Sequence, residues 1–238
     1  MILVLQPGLF TTLQDEGRPG YLAFGMPRAG VMDRYAARMA NLLCGNPLSA
    51  AVLEMTLVGG TFQFEQAGRI AVCGADTPLK INEKALPTWS AVDVVAGDVL
   101  EIGAATAGCR SYLAVSGGIN VPQIMGSRST YSRAGVGGVA GRPLKSGDKL
   151  PVGQALPQTA TPVNLPAALI PVWSKAITVR VLLGPQESLF TAQGIETFLN
   201  SSYNVSDDVD RMGYRLEGPL VEHIKGADII SDALAPGA

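Results

Sequence analysis

The chain has 238 residues, 47% of them hydrophobic and 16% charged, with a formal net charge of −2. That length can bury a substantial core, and the slightly acidic balance argues against a nucleic-acid partner. No stretch approaches the roughly 20 apolar residues of a membrane span, and MILVLQPG lacks the basic start and long apolar run of a signal peptide, so a soluble, cytoplasmic protein without membrane partners is expected.

Residues 2–5 read as a first strand closed by Pro7-Gly8. The segment from Phe10 to Gly20 ends in a Gly-Arg-Pro-Gly turn, in which Asp15 and Arg18 either pair or face a ligand, pairing being the first expectation. Residues 34–43 form the best helix. Asp33 suits its N-cap, Gly45 its end, and Ala36, Met39, Ala40 and Leu43 make one apolar face. From residue 52 the pattern changes to short strands about ten residues apart, the sign of a sandwich or barrel. They are expected at 52–58, 61–65, 69–73, 79–82, 92–95, 99–102 and 111–115. Glu54, an acid in an apolar strand, either points to solvent by alternation or is a buried, paired carboxylate. The echo of Gly97–Gly103 in Gly147–Gly153 is a Gly-Asp turn feeding a short strand. Residues 154–171 are rich in Pro, Ala and Thr and read as a linker. A second unit then offers a strand at 177–183, a helix at 188–199 and a polar turn around 206–208.

Cys44, Cys73 and Cys109 are too few and too widely spaced for a disulfide framework or a zinc site, and Cys73 and Cys109 are expected to be buried thiols. His223 is the sole histidine, which excludes a histidine-rich metal site and any mechanism needing two histidines. No metal is expected. The stretch from Gly108 to Asp148 stands apart, with nine glycines, four arginines and the hydroxyls of Ser127, Ser129, Thr130, Tyr131 and Ser132. Glycine at that density serves positive φ or a close approach to a ligand, and arginines among hydroxyls suit a carboxylate or phosphate. Tight turns with solvated arginines explain the same residues without a site.

Several stretches together resemble the carboxyltransferase subdomain family known as allophanate hydrolase subunit 2, which includes the C-type component of 5-oxoprolinase. They are Gly8–Asp15 with Gly17-Arg18; Asp33, Ala40–Leu43 and Gly45-Asn46; Leu53–Leu57; and Arg110–Val115 with Gly117–Ile119. Gly126–Thr130, Gly137-Gly138, Gly141-Arg142 and Arg211–Leu216 complete the set, which spans nearly the whole chain in the family's order. The resemblance implies a mainly β protein of two linked β-barrel lobes with a few short helices. The lobes fall at 1–153 and, after a linker at 154–176, at 177–238. The second is cyclophilin-like and expected to be incomplete, because the family's Gln-, Thr- and Gly-rich continuation ending in Gly-Tyr-Pro is absent here.

The resemblance also implies two partner proteins, one of the B (subunit 1) type and one of the A type. Together with the C-type component they open 5-oxo-L-proline to L-glutamate using ATP. This chain alone is expected to be inactive. Two alternatives stay open: a biotin-dependent urea or amide carboxyltransferase component, and a non-enzymatic antagonist of a kinase-inhibitor partner. No Met-Lys biotin-attachment pair occurs in this chain, so biotin would ride on another. For lactam opening, developing negative charge must be held. Arg110, Arg128, Arg142, Arg211 and Arg215 are the candidate anion binders; Tyr112, Ser129 and Thr130 would orient substrate, and Glu54 or Asp15 would act as general base. Backbone N–H groups at Gly117-Gly118 and Gly137-Gly138 would assist as an anion nest.

Overall fold

Short apolar runs become strands wherever a turn lets them fold back on a neighbour. The computed structural model describes residues 1–155, 163–174, 176–209, 211, 213–226 and 228, in two units, Met1–Lys175 and Ala176–Ala238. In the first unit, β1 (Ile2–Gln6) and β2 (Phe10–Gln14) precede α1 (Arg34–Leu43). Then come β3 (Val52–Thr56), β4 (Thr61–Phe64), β5 (Gly68–Asp76), β6 (Leu79–Ile81) and β7 (Lys84–Leu86). The unit is completed by β8 (Ala91–Val94), β9 (Val99–Ile102), β10 (Ala107–Val115) and β11 (Lys149–Leu150).

These strands make two antiparallel sheets, β11-β1-β4-β9-β6-β7 and β2-β3-β10-β5-β8. The protein is mainly β with few helices, as expected, but the ladders stay open: neither sheet's end strands pair with each other among the described residues. Ile2, Val4, Phe62 and Leu100 from the first sheet pack against Leu13, Leu53, Ile70 and Leu113 from the second, forming the sandwich core. On its other side the five-stranded sheet is covered by α1. Ala36, Ala37, Ala40 and Leu43 pack there with Val52, Ala71, Cys73, Tyr112 and Ala114. Two buried faces explain why Val52 through Met55 are all buried and why Glu54 does not reach solvent. The helix begins where the sequence places it: Asp33 accepts from the Ala36 N–H at 3.0 Å, and Gly45 takes positive φ at its end.

Three expectations are corrected, and one run left without an element takes one. Residues 10–14 are strand β2, because the threonines of Phe-Thr-Thr-Leu-Gln fit a pleat whose other neighbours come from distant parts of the chain. Cys109 is exposed: the register of β10 against β5 breaks between Ala107 and Ser111, and the bulge turns this residue outward. Cys44 and Cys73 are buried, and burial raises the pKa of both thiols. Residues 177–183 make no strand. No ladder neighbour lies beside them among the described residues, and Ile177, Val179, Val181 and Leu182 are exposed.

The third correction lies in the second unit, where residues 206–208 belong to a strand and not to a turn. There β12 (Asn204–Val209) pairs antiparallel with β13 (Tyr214–Glu217), while α2 (Ala192–Asn200) is capped by Thr191, whose hydroxyl accepts from the Gly194 N–H. His223 stacks on Phe190 with ring centroids 4.7 Å apart. Of the expected linker, residues 156–162 and 175 lie outside the described residues. Residues 163–174 run along the first unit, where Asn164 bridges Ser90 and the Trp173 Nε1–H donates to the Gly74 carbonyl.

Replacing Asp33 by Ala removes the cap of α1 and is expected to lower stability by about 1 kcal/mol in urea denaturation.

Candidate functional site

Opposed residues share a sheet face, and the register sets Thr12, Glu54 and Tyr112 side by side across β2, β3 and β10. Their neighbours Leu13, Leu53 and Leu113 face the sandwich core. The three polar residues therefore lie on the side covered by α1. Gln14 lies two residues along on the same face and donates through Nε2 to Thr12 Oγ1 at 2.9 Å. A polar strip thus crosses an otherwise apolar layer.

Glu54 is 2% exposed. Its Oε2 accepts from the Tyr112 hydroxyl at 3.0 Å and from the Met32 N–H at 2.9 Å. Arg110 is two residues before Tyr112 on β10, a diagonal neighbour, and its Nε stands 3.8 Å from Glu54 Oε1. The Tyr112 oxygen in turn accepts from the Asp33 N–H at 2.8 Å, so the carboxylate and the phenol together hold the chain that enters α1. Burial, opposed mainly by the Asp33 N–H, pushes the Tyr112 phenol well above its ordinary pKa, so it keeps its proton and donates. Of the two sequence readings of Glu54, the structure shows the buried, paired carboxylate.

The glycine-rich stretch lies along the open edge of β2. Thr130 N–H donates to the Leu13 carbonyl at 2.8 Å and Leu144 N–H to the Thr11 carbonyl at 2.9 Å, covering a strand edge that would otherwise be bare. Asp15 ties the loop down. Its Oδ1 accepts from the Ser127 and Ser129 hydroxyls, both at 2.6 Å, and from Gly17 N–H at 2.8 Å, while Oδ2 accepts from Arg128 N–H. Arg18 does not close on Asp15 as expected; that carboxylate is turned to these four donors. Instead Arg18 is fully buried and donates through Nη2 to the Ser129 carbonyl. Burial lowers its pKa, against the pull of the Asp15 charge.

The remaining predicted residues divide between the units. Arg128 donates from Nε to the Val121 carbonyl at 2.8 Å and from Nη2 to Asn120 Oδ1 at 2.6 Å. Arg142 makes a bidentate pair with Asp148, both contacts 2.8 Å. That bond holds the Asp148 carboxyl below its ordinary pKa; burial opposes it, and the Lys145 N–H assists. Ser129 and Thr130 stand beside Arg18 and Gln14 in the β2 seam. Arg211 and Arg215 belong to the second unit, where Arg215 pairs with Asp208 at 2.8 Å in full solvent and burial pulls the Arg211 guanidinium below its ordinary pKa. Thus Glu54, Tyr112 and Arg110 form one constellation, and Asp15, Ser129, Thr130 and Arg128 form another.

Three of the four N–H groups expected to form the anion nest are committed within the fold. Gly117 N–H donates to Asn46 Oδ1 at 2.9 Å, Gly118 N–H to Val115 O at 2.8 Å and Gly138 N–H to Arg128 O at 2.9 Å. Among the described residues, no three His, Cys, Asp or Glu side chains converge as metal ligands, and no helix is long and apolar enough to cross a membrane. Sequence reading passed over Gln14 and left Arg18 only as a partner for Asp15. The Thr12–Gln14 alternation on β2 was the signal available for the former.

The carboxyltransferase domain family, subdomains A and B, matches residues 24–238. The chain is 37% identical over 237 residues to the C component of 5-oxoprolinase from Escherichia coli (strain K12), covering 100% of this chain and 75% of that protein. It is 40% identical over 228 residues to urea amidolyase of Lachancea kluyveri, covering 91% of this chain and 12% of that one. The crystal structure of the Kluyveromyces lactis urea amidolyase superposes with a TM-score of 0.85 at 36% identity, over 93% of this chain and 14% of the other.

Asp15→Asn leaves donors facing an amide and is expected to cost about 2–3 kcal/mol, with faster hydrogen exchange at Arg128 and Thr130. Asp148 has a depressed carboxyl pKa in the folded state. Its contribution to stability is therefore complete above the ordinary value of 3.8 and lost as pH falls through the folded value. Melting curves from pH 5 downward should show this acid loss in the parent chain, and Asp148→Asn should flatten that part of the profile.

Proposed function

We propose that this chain, which belongs to the carboxyltransferase domain family through subdomains A and B, is one component of a cytoplasmic, ATP-dependent 5-oxoprolinase and opens 5-oxo-L-proline to L-glutamate only together with its partner proteins. The observation that carries this reading is the similarity to a 5-oxoprolinase C component along the entire chain. The partners are one protein of the B (subunit 1) type and one of the A type. ATP is assigned to those partners; in this chain the N–H groups of Gly117, Gly118 and Gly138 are committed inside the fold.

Within this reading, Glu54 is the base that takes a proton from the attacking water. Protonated Tyr112 and the Met32 N–H hold its Oε2, which fixes the carboxylate's orientation. Arg110 and Arg128 supply positive charge against the oxyanion that develops as the lactam carbonyl is attacked. Ser129 and Thr130 position substrate at the β2 seam. Asp15 and Arg142 serve this site by holding loops, through Ser127, Ser129 and Asp148.

A second reading, a protein that transfers a carboxyl group from biotin on another chain to urea or a related amide, is favoured by the similarity to urea amidolyase. The two readings separate in one assay. The complex reconstituted with its partner proteins, ATP and 5-oxo-L-proline is expected to release glutamate. Release should fall at least about tenfold in Arg128→Ala and on the order of a hundredfold in Glu54→Gln. A stable complex that releases no glutamate, but carboxylates urea when a carrier bearing carboxybiotin (charged beforehand by a biotin carboxylase with bicarbonate and ATP) is added, would replace the first reading with the second. A stable complex silent in both would leave a non-enzymatic antagonist.

A further inference from the structure

Arg18 is buried near the Asp15 charge without a hydrogen bond to any carboxylate among the described residues. Its Nη2 donates to the Ser129 carbonyl, whereas the N–H groups at Nε and Nη1 have no acceptor among the described residues. Asp15, three residues earlier, makes no ion pair with it, and the two carboxylate oxygens there already receive four donors. Two further buried atoms without partners among the described residues belong to the same seam, Gln14 Oε1 and Thr130 Oγ1. The seam is narrow: Gln14 Nε2 donates to the Thr130 carbonyl at 3.1 Å, and Ser129, whose carbonyl receives Arg18, is the preceding residue.

The chemistry of these uncommitted atoms is specific. A guanidinium with spare N–H groups calls for a small oxyanion. An amide oxygen can only accept, so Gln14 Oε1 calls for an N–H donor; a threonine hydroxyl can donate to a carbonyl. A molecule that satisfies all three carries a carboxylate, an amide N–H and an amide carbonyl close together. Buried polar atoms are normally satisfied, so three unsatisfied residues in one seam are better explained by a shared occupant than by separate lapses of packing.

We infer that Arg18, Gln14 and Thr130 form the binding site for a small carboxylate bearing an amide group, with Arg18 receiving the carboxylate, Gln14 Oε1 the amide N–H and Thr130 the amide carbonyl. The assignment of 5-oxo-L-proline as that molecule rests on the proposed function; the anion site at Arg18 does not. Gly137 forms the wall over the guanidinium. A Cβ there would stand 2.9 Å from Arg18 Nη2 and collide with the Ser129 carbonyl, so the position admits only glycine.

The test is equilibrium dialysis of 5-oxo-L-proline against the complex with its partner proteins, without ATP, beside thermal denaturation of the full chain. Binding is expected to weaken at least about tenfold in Arg18→Met, and by a similar factor when the ligand is the neutral 5-oxo-L-prolinamide. Gln14→Leu should discriminate less between the lactam and its N-methyl derivative than the parent does. Removing a buried charge that no carboxylate hydrogen-bonds should leave the melting temperature of Arg18→Met unchanged or raised. A fall in that temperature of more than about 10 °C, with ligand affinity retained in the folded fraction, would mark Arg18 as structural and overturn the inference. So would parental affinity in Arg18→Met, whatever the outcome for glutamate release. Bicarbonate offered alone separates the two sources of the anion. Arg18-dependent binding of bicarbonate with none of 5-oxo-L-proline overturns the amide part of the site and counts against the 5-oxoprolinase reading. Arg18-dependent binding of 5-oxo-L-proline without turnover upholds the site and removes only that reading.

Discussion

One carboxylate holds the glycine-rich stretch in place. Asp15 stands just past the end of β2 and gathers two serine hydroxyls and two backbone N–H groups, three of the four from residues more than a hundred positions away. A carboxylate accepting several N–H and O–H bonds is stable as an anion even when nearly buried, since the donors replace the water it has lost. With the loop fixed, Thr130 and Leu144 can pair with β2 and close the sheet edge. The commitment of Asp15 to these donors also has a consequence for Arg18, which is buried near that charge without a hydrogen bond to it.

The second constraint is that the five-stranded sheet is buried on both faces. A sheet with one wet face can turn its polar residues outward; this one cannot, because α1 covers the side away from the sandwich core. Polar residues on that side must find partners within the layer. Glu54 finds the Tyr112 hydroxyl and the N–H of Met32, and the phenol finds the N–H of Asp33. These contacts place a carboxylate at the start of α1, where free N–H groups and the positive end of the helix dipole favour an anion. The residues proposed to provide and hold the general base are therefore also those that seat the helix.

Much of the architecture was legible from local pattern. The helix over residues 34–43 with its Asp33 cap appears with the boundaries that the spacing predicts, and strands β1, β3 to β6 and β8 to β11 lie within the runs read as such or overlap them. Caps, turns and alternation act between residues a few positions apart, so they survive in sequence. Strand β2 and the exposure of Cys109 were not legible. The first depends on neighbours from β3 and the glycine-rich loop, and the second on a bulge set by pairing with β5. Residues 177–183 show the converse: an apolar, β-branched run predicts a strand, yet no ladder forms without a neighbour to share its hydrogen bonds.

The sequence by itself determined that this is a mainly β protein with a capped helix, and that arginines, hydroxyls and glycines concentrate between residues 108 and 148. Only the tertiary structure decided what each of those groups does. Arg142 is tied to Asp148 and Arg128 to the chain at Asn120 and Val121, while Arg18, outside that stretch, is a buried cation whose Nε and Nη1 have no partner among the described residues. The reason is physical. Whether a charge is paired, solvated or left for a ligand depends on burial and on which distant donors and acceptors reach it, and neither quantity is written in local spacing.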